Sequence, residues 1–164
     1  MRILGIDPGL NKTGYGIVET LGNHLKFIQA GCINTSSKKS LDKRLLKIHR
    51  EITEIIKNTQ LDAVVLEKLY AHYKHPLTAC LLGHARGIIC LICAQNNVDL
   101  FEYAATRVKK VVLGKGHASK QQIQQMVLQM LSLQYSGKIP LDTTDALSLA
   151  IAHSYIIKKD IFKR

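Results

Sequence analysis

The chain has 164 residues, enough for one domain with a real core that needs no disulfide or metal staples, and too few for a second large domain. Hydrophobic residues make up 46% and aromatics 5%, with no Trp, so a disordered chain is excluded and the core is expected to be Leu, Ile, Val and Ala. Lys and Arg number 23 against 12 Asp and Glu, a formal charge of +11. Such a surplus predicts a polyanionic partner, with nucleic acid first, because phosphate neutralisation supplies most of its non-specific affinity. The blander alternative is a basic surface kept for solubility or for ribosomal or membrane contact.

No apolar stretch approaches the ~18 residues that a bilayer span needs, and Met1 to Asp7 turns acidic too early for a signal peptide, so a soluble, cytoplasmic protein with no membrane partner is expected. Cys90 and Cys93 form a C-x-x-C, but Ile88, Ile89, Leu91 and Ile92 surround them and no second pair follows. This pair, two of four cysteines with Cys32 and Cys80, reads as buried, reduced core residues rather than a zinc or redox site.

In chain order, Arg2 to Ile6 is a short apolar strand stopped at Asp7 by the turn-forming Pro8-Gly9. Strands over 13–19 and 25–33 follow, joined by a hairpin turn at 21–23. Leu41, Leu45, Leu46, Ile48, Ile52, Ile55 and Ile56 recur near helical spacing and predict an amphipathic helix. Ala63 to Leu66 is a strand that stops at Glu67. A loop rich in Tyr, His and Lys precedes Pro76, and a helix over 77–95 carries Gly83, Ala85 and Gly87, small residues that permit close approach to the sheet or to another helix. A fifth strand spans 98–103, a basic helix 104–113, a loop 114–117 and an amphipathic helix 119–133; a last helix opens at Pro140 and runs to about Lys158. This order predicts one α/β domain over 1–164, a five-stranded mixed sheet flanked by helices.

Four of the 12 acids, Asp7, Glu67, Asp142 and Asp145, stand where apolar elements start or stop. Each has a structural explanation alone: Asp7 as a turn residue, Glu67 as a solvent-facing strand end, Asp142 as a helix N-cap. If the first and fourth strands are neighbours, however, Asp7 and Glu67 emerge at one edge of the sheet. Asp142 and Asp145, three apart, share a helix face. Converging carboxylates repel unless a cation neutralises them, and such hard oxygen donors suit Mg2+ or Mn2+ rather than zinc. Two ions about 3.5 to 4 Å apart can activate a water and stabilise the leaving oxygen of a phosphodiester. The residues by themselves thus point to a metal-dependent nuclease or phosphoryl-transfer enzyme.

Several stretches, in order over nearly the whole chain, are similar to one family. Gly5-Ile6-Asp7-Pro8-Gly9-Leu10 with Thr13-Gly14-Tyr15-Gly16, Val65-Leu66-Glu67, and Leu82-Gly83-His84-Ala85-Arg86-Gly87 resemble the RuvC-type Holliday junction resolvases. So do Glu102-Tyr103-Ala104 through Val108-Lys109, the segment Gly114 to Lys120, and Asp142-Thr143-Thr144-Asp145-Ala146-Leu147 with His153. The resemblance implies an RNase H-like fold, a homodimer and Mg2+-dependent paired nicking of four-way DNA junctions in recombination and repair, with the branch-migration proteins RuvA and RuvB as partners. It implies that Asp7, Glu67, Asp142 and Asp145 are the metal-binding catalytic acids, with two Mg2+ per site that Mn2+ can replace. Lys109 and Lys120 match lysines near the site that contact the scissile backbone or the developing charge, which makes Lys120 catalytic as well as DNA-binding.

Tyr70 falls where the family places an aromatic that stacks on junction bases, for which about 1 to 3 kcal/mol per base is available. The loop is one residue longer than the family pattern and lacks its Asn, which leaves the stacking role open between Tyr70 and Tyr73. Lys74, Lys110 and Lys115 complete the expected DNA-binding set, with solvated surface charge as their alternative reading. His117 and His153 stay unassigned, His153 reading slightly better as packing. The Asp7-x-Gly9 turn also resembles the phosphate loop of actin-like ATPases, but those folds need two such domains. A non-catalytic junction-binding module has no use for four acids in a DNA channel, and a YqgF-type nuclease acting on RNA fits the segment from Val108 to Lys120 less well.

Overall fold

Alternation of side chains along the first strand decides the architecture. In the computed structural model, which describes residues 1–22, 24–69, 76–133 and 141–161, β1 (Arg2–Asp7) sends Leu4 and Ile6 to one face and Ile3 to the other, each fully buried. It pairs antiparallel with β2 (Lys12–Leu21), which pairs antiparallel with β3 (His24–Asn34). On its other side β1 runs parallel to β4 (Ala63–Glu67), and β4 parallel to β5 (Asp99–Tyr103). The resulting mixed sheet has five strands in the order β3-β2-β1-β4-β5, as an RNase H-like fold requires.

Both parallel crossovers are helical: α1 (Leu41–Thr59) leads into β4, and α2 (Pro76–Gln95) into β5. These two helices cover one face through Ile48, Ile52, Ala85, Ile89 and Ile92, packed on Leu4, Ile6, Val64 and Leu66. Opposite them lie α3 (Ala105–Leu113), α4 (Lys120–Met130) and α5 (Leu141–Ile161), joined to Ile3, Val18, Val65 and Tyr103. Each fully buried Leu or Ile in these two layers contributes roughly 1.5 to 3 kcal/mol of transfer free energy. Helix α5 lies against β1 and β2 with almost no gap. A side-chain carbon on Gly5 would collide with the Ala146 carbonyl, and one on Gly16 would stand 2.6 Å from the Leu147 side chain.

Four expectations need correction. Helix α4 ends at Met130, three residues early, because Ser132 turns left-handed with φ 53°. Asp142 is not an N-cap: the helix begins at Leu141, and the Asp142 carboxylate is paired elsewhere. Cys90 is half-buried, so of the C-x-x-C pair only Cys93 fits the buried reading in full, its thiol pushed by burial up to about 11; all four cysteines are free. Finally, α2 is long and apolar enough, by length and composition alone, to cross a bilayer. Arg86 is its sole formal charge, which is too little to offset Leu, Ile, Ala and Cys over 20 residues. Gly83 and Gly87 do not seat α2 on the sheet, for among the described residues no atom of another element lies within 4 Å of where their side chains would begin.

Candidate active site

Strand register carries the first two acids to one place. Ile6 pairs with Leu66 in the parallel β1–β4 ladder, so the next residues, Asp7 and Glu67, leave adjacent strand ends side by side. Both share the pleat face of Ile3 and Val65, the one that α5 covers. Helix α5 contributes Asp145, one turn in, and Asp142 from its first turn. Its close seating on β1 and β2 brings them within electrostatic range: Asp145, Glu67 and Asp142 all raise the pKa of Asp7.

A cavity of about 230 Å³ opens here, lined by Asp7, Glu67, Asp145, Lys109, Lys120, Ser148 and apolar side chains of α3 to α5. Burial is the largest influence on Asp7, and with the three neighbouring acids it pushes the carboxyl up to about 7. Glu67 is raised as well, by burial and then by Asp145, against the opposing pull of Lys109 and Lys120.

Two lysines offset part of this repulsion. Lys120 opens α4 behind a capping box, in which Ser119 accepts from the Gln122 backbone and Gln122 returns the bond. Its ammonium donates to Asp145 Oδ2 at 3.1 Å and is raised by that contact. Lys12, at the start of β2, stands 3.1 Å from Asp142 Oδ2 and is raised in the same way. Ser148 donates to the Asp145 carbonyl at 2.7 Å. Among the described residues no three His, Cys, Asp or Glu side chains enclose an ion-sized space; Asp142 and Asp145 are turned to lysines instead. The donor set is nevertheless all hard oxygen, and a buried acid held half-protonated near neutral pH is what an uncompensated carboxylate cluster produces. The residues fit a hard divalent cation by charge and chemistry.

The other candidates are scattered. Lys109 faces the carboxylates, whereas Lys110 lies around α3 in a separate hollow with Arg107, Tyr155 and Lys159. Lys115 and His117 are exposed on the loop after α3. His153 is fully buried, its Nδ1 2.8 Å from the Tyr103 hydroxyl, as the packing reading has it. Tyr70, Tyr73 and Lys74 lie outside the described residues. Lys12, Ser148 and Arg86 are absent from the sequence-based set. Of these only Arg86 sits in a family-like motif, and a lysine at a strand start carries no signal of its own.

The model of the family described as crossover junction endodeoxyribonuclease RuvC matches residues 3–153. The chain belongs to the RuvC family. A RuvC of Rhodopirellula baltica is 43% identical over 159 residues, covering 97% of this chain and 89% of the relative. Another, from Caldicellulosiruptor saccharolyticus, is 45% identical over 154 residues, covering 93% and 92%. Thermus thermophilus RuvC, solved in complex with a Holliday junction substrate, superposes with a TM-score of 0.91 at 26% identity over 98% of this chain and 96% of that one. The RuvC assignment agrees with the RNase H-like sheet and with the motifs that carry the carboxylates.

Proposed function

We propose that this RuvC-family chain is a structure-selective endodeoxyribonuclease that resolves four-way junctions by hydrolysing phosphodiesters in recombination and repair. The observation that carries the reading is the convergence of Asp7, Glu67 and Asp145 with Lys109 and Lys120 around one open cavity in a chain of charge +11. Asp7, Glu67, Asp142 and Asp145 would hold Mg2+, with Mn2+ as a substitute. Such ions lower the pKa of a water nucleophile and stabilise charge on the leaving oxygen.

The chain's own residues bind and orient the substrate. Lys120 and Lys109 form the cationic side of the cavity and hold the scissile phosphate against the acids. When phosphate arrives, Lys120 exchanges its bond to Asp145 for one to a phosphate oxygen, freeing Asp145 for a cation. Lys12 does the same for Asp142 at the rim. Tyr70 or Tyr73 stacks on junction bases, and Lys74, Lys110 and Lys115 hold the arms by their phosphates.

A second copy completes the molecule through α2. Leu77, Leu81 and Leu91 are exposed along its outer side, with Cys80 and His84 beside them and the bare Gly83 and Gly87 between. An isologous contact along this stripe buries it and sets two cavities to cut two symmetric strands. With one face on the sheet and the other on a partner, α2 needs no membrane, which fits a cytoplasmic, single-domain protein. RuvA and RuvB remain the proposed branch-migration partners.

The test is incubation with a labelled four-way junction and a linear duplex, with Mg2+ or EDTA, beside the Asp7→Asn variant. Paired nicks in the junction alone, dependent on Mg2+ and lost in the variant while binding persists, support the reading. Binding without cleavage under any divalent ion sinks it.

A further inference from the structure

The carboxylate of Glu67 leaves the last residue of β4, where the ladder stops supplying partners. Its neighbour Lys68 still donates to the Tyr103 carbonyl at 2.8 Å, but the Glu67 carbonyl accepts from a side chain: Arg86 Nη1, at 2.6 Å. The other Arg86 nitrogen, Nη2, donates to the Glu102 carboxylate on β5. One guanidinium therefore ties the ends of two parallel strands, and its planar fork suits this double contact as an ammonium does not.

Arg86 is set for this role by its helix. It follows Ala85, which is fully buried on the sheet, and its own side chain is only 13% exposed. It lines a hollow with Asp7, Pro8, Glu67, Leu69 and Leu82, beside the carboxylate cavity. Yet it is not among the charges that act on the Glu67 carboxyl, which are Asp145, Lys109 and Lys120. Its action on Glu67 is geometric, through the backbone. Around the same helix, His84, Gly87 and Leu91 face outward in the stripe left open to a second copy.

We propose that Arg86 is a positioning residue that aims Glu67 by clamping the ends of β4 and β5, and so transmits the seating of α2 to the carboxylate cluster. This rests on the nuclease reading above. Groups that orient metal ligands without touching the metal change affinity by about 10- to 100-fold when removed.

The experiment compares wild type, Arg86→Ala and Arg86→Lys. It reads Mn2+ affinity by calorimetry without DNA, the Mg2+ concentration for half-maximal single-turnover cleavage of a saturating junction, the junction Kd and the Tm. Arg86→Ala is expected to weaken Mn2+ binding and raise the Mg2+ requirement by about tenfold or more, with junction Kd unchanged within about twofold; Arg86→Lys recovers part of the loss. In a Glu67→Asp background, Arg86→Ala is expected to add little, because residues acting through one another are not additive. A variant with a lowered Tm but wild-type metal affinity and cleavage below that temperature overturns the proposal and leaves Arg86 a fastener. Should Arg86→Ala fail to fold, Glu102→Ala removes the other anchor: a weaker shift in the same direction supports the clamp, and none overturns it. A wild type that neither binds Mn2+ nor cuts a junction overturns the nuclease reading and this inference with it; with a wild type that does both, failure of the Arg86 variants to shift metal affinity overturns the clamp alone.

Discussion

Gly14 on β2 lies directly against Asp142 on α5: a side-chain carbon at Gly14 would strike the Asp142 carbonyl and stand 3.1 Å from its Cβ. The absence of a side chain at this point, repeated at Gly5 beneath Ala146, is what lets the acid-bearing turn of α5 descend to the end of β1. Backbone cannot yield as a flexible side chain does. Gly14→Ala is therefore expected to cost about 1 to 3 kcal/mol of stability and to displace Asp142, lowering cleavage by about tenfold or more at a temperature where the variant is folded. Denaturant unfolding and single-turnover cleavage measure the two losses. A Gly14→Ala enzyme as stable and as fast as wild type would show that α5 shifts freely.

Burial and its three acidic neighbours raise Asp7 from 3.8 to about 7, so the folded protein holds that proton more tightly than the unfolded chain does. The sign follows: without metal, ionised Asp7 destabilises the fold in full above pH 7, and the penalty vanishes below about 4. Asp7→Asn removes it, and is expected to exceed the metal-free wild type in stability by about 2 to 4 kcal/mol at pH 8, the two converging near pH 4. Adding Mg2+ narrows the gap at pH 8 by stabilising only the wild type. Urea melts across pH with and without Mg2+ check both statements, and a gap that persists at pH 4 would refute the assignment.

Adjacent lysines on α3 are expected to behave differently. Lys109 lines the carboxylate cavity and Lys110 a hollow around the helix with Arg107 and Lys159. Lys109→Ala should lower the single-turnover rate at saturating junction by about tenfold or more. Lys110→Ala should leave that rate within about twofold and weaken binding, reducing the salt slope by about one. Titrations at several salt concentrations alongside single-turnover rates separate the two. Equal effects on rate would mean that α3 presents no privileged face to the substrate.

Asp7 and Glu67 are legible as a pair from sequence because a Pro-Gly turn and an apolar-to-acid break mark two strand ends, and only their adjacency waits on the sheet. Asp145 follows from its spacing to Asp142. What eludes sequence is whatever depends on two distant segments meeting: Lys12 against Asp142, Arg86 across β4 and β5, and the contacts of Gly5 and Gly14 with α5. The N-cap reading of Asp142 fails for the same reason, since a partner 130 residues earlier in the chain claims its carboxylate. Helix α2 misleads in another way. Apolar on both sides, it hides which face meets the sheet until Ala85, Ile89, Ile92 and Cys93 are seen buried.

That second face of α2 gives a direct test of assembly. Leu81 and Leu91 are 42% and 49% exposed on the stripe. Glu in their place costs the isolated chain little, since surface changes usually stay within about 0.5 kcal/mol. In a symmetric contact each substitution places like charges on both copies, so Leu81→Glu with Leu91→Glu is expected to yield monomers by sedimentation at concentrations where the proposed dimer forms. Paired nicking should decay into single, uncoordinated cuts. A variant that sediments as wild type would move the interface elsewhere.

His153 provides the opposing pH effect. Burial among Phe101, Tyr103 and the α5 core lowers its pKa from 6.5 to about 4, so the folded state keeps the imidazole neutral. Stability from this group is full above about pH 6.5 and is lost as pH falls toward 4, on the order of 2 to 3 kcal/mol. Its Nδ1 meets the Tyr103 hydroxyl while Nε2 is buried with no hydrogen-bond partner among the described residues, so an added proton would find no acceptor there. His153→Gln, which cannot titrate, is expected to lose about 1 kcal/mol at pH 7 through a poorer contact with Tyr103 and to become less sensitive to acid. Because Asp7 and His153 titrate in overlapping windows with opposite sign and similar size, the two effects nearly cancel between pH 6.5 and 4 in the metal-free wild type, whereas Asp7→Asn should lose stability over that range and His153→Gln should gain it. Stability curves of the two variants that run parallel to wild type would overturn the neutral-imidazole reading.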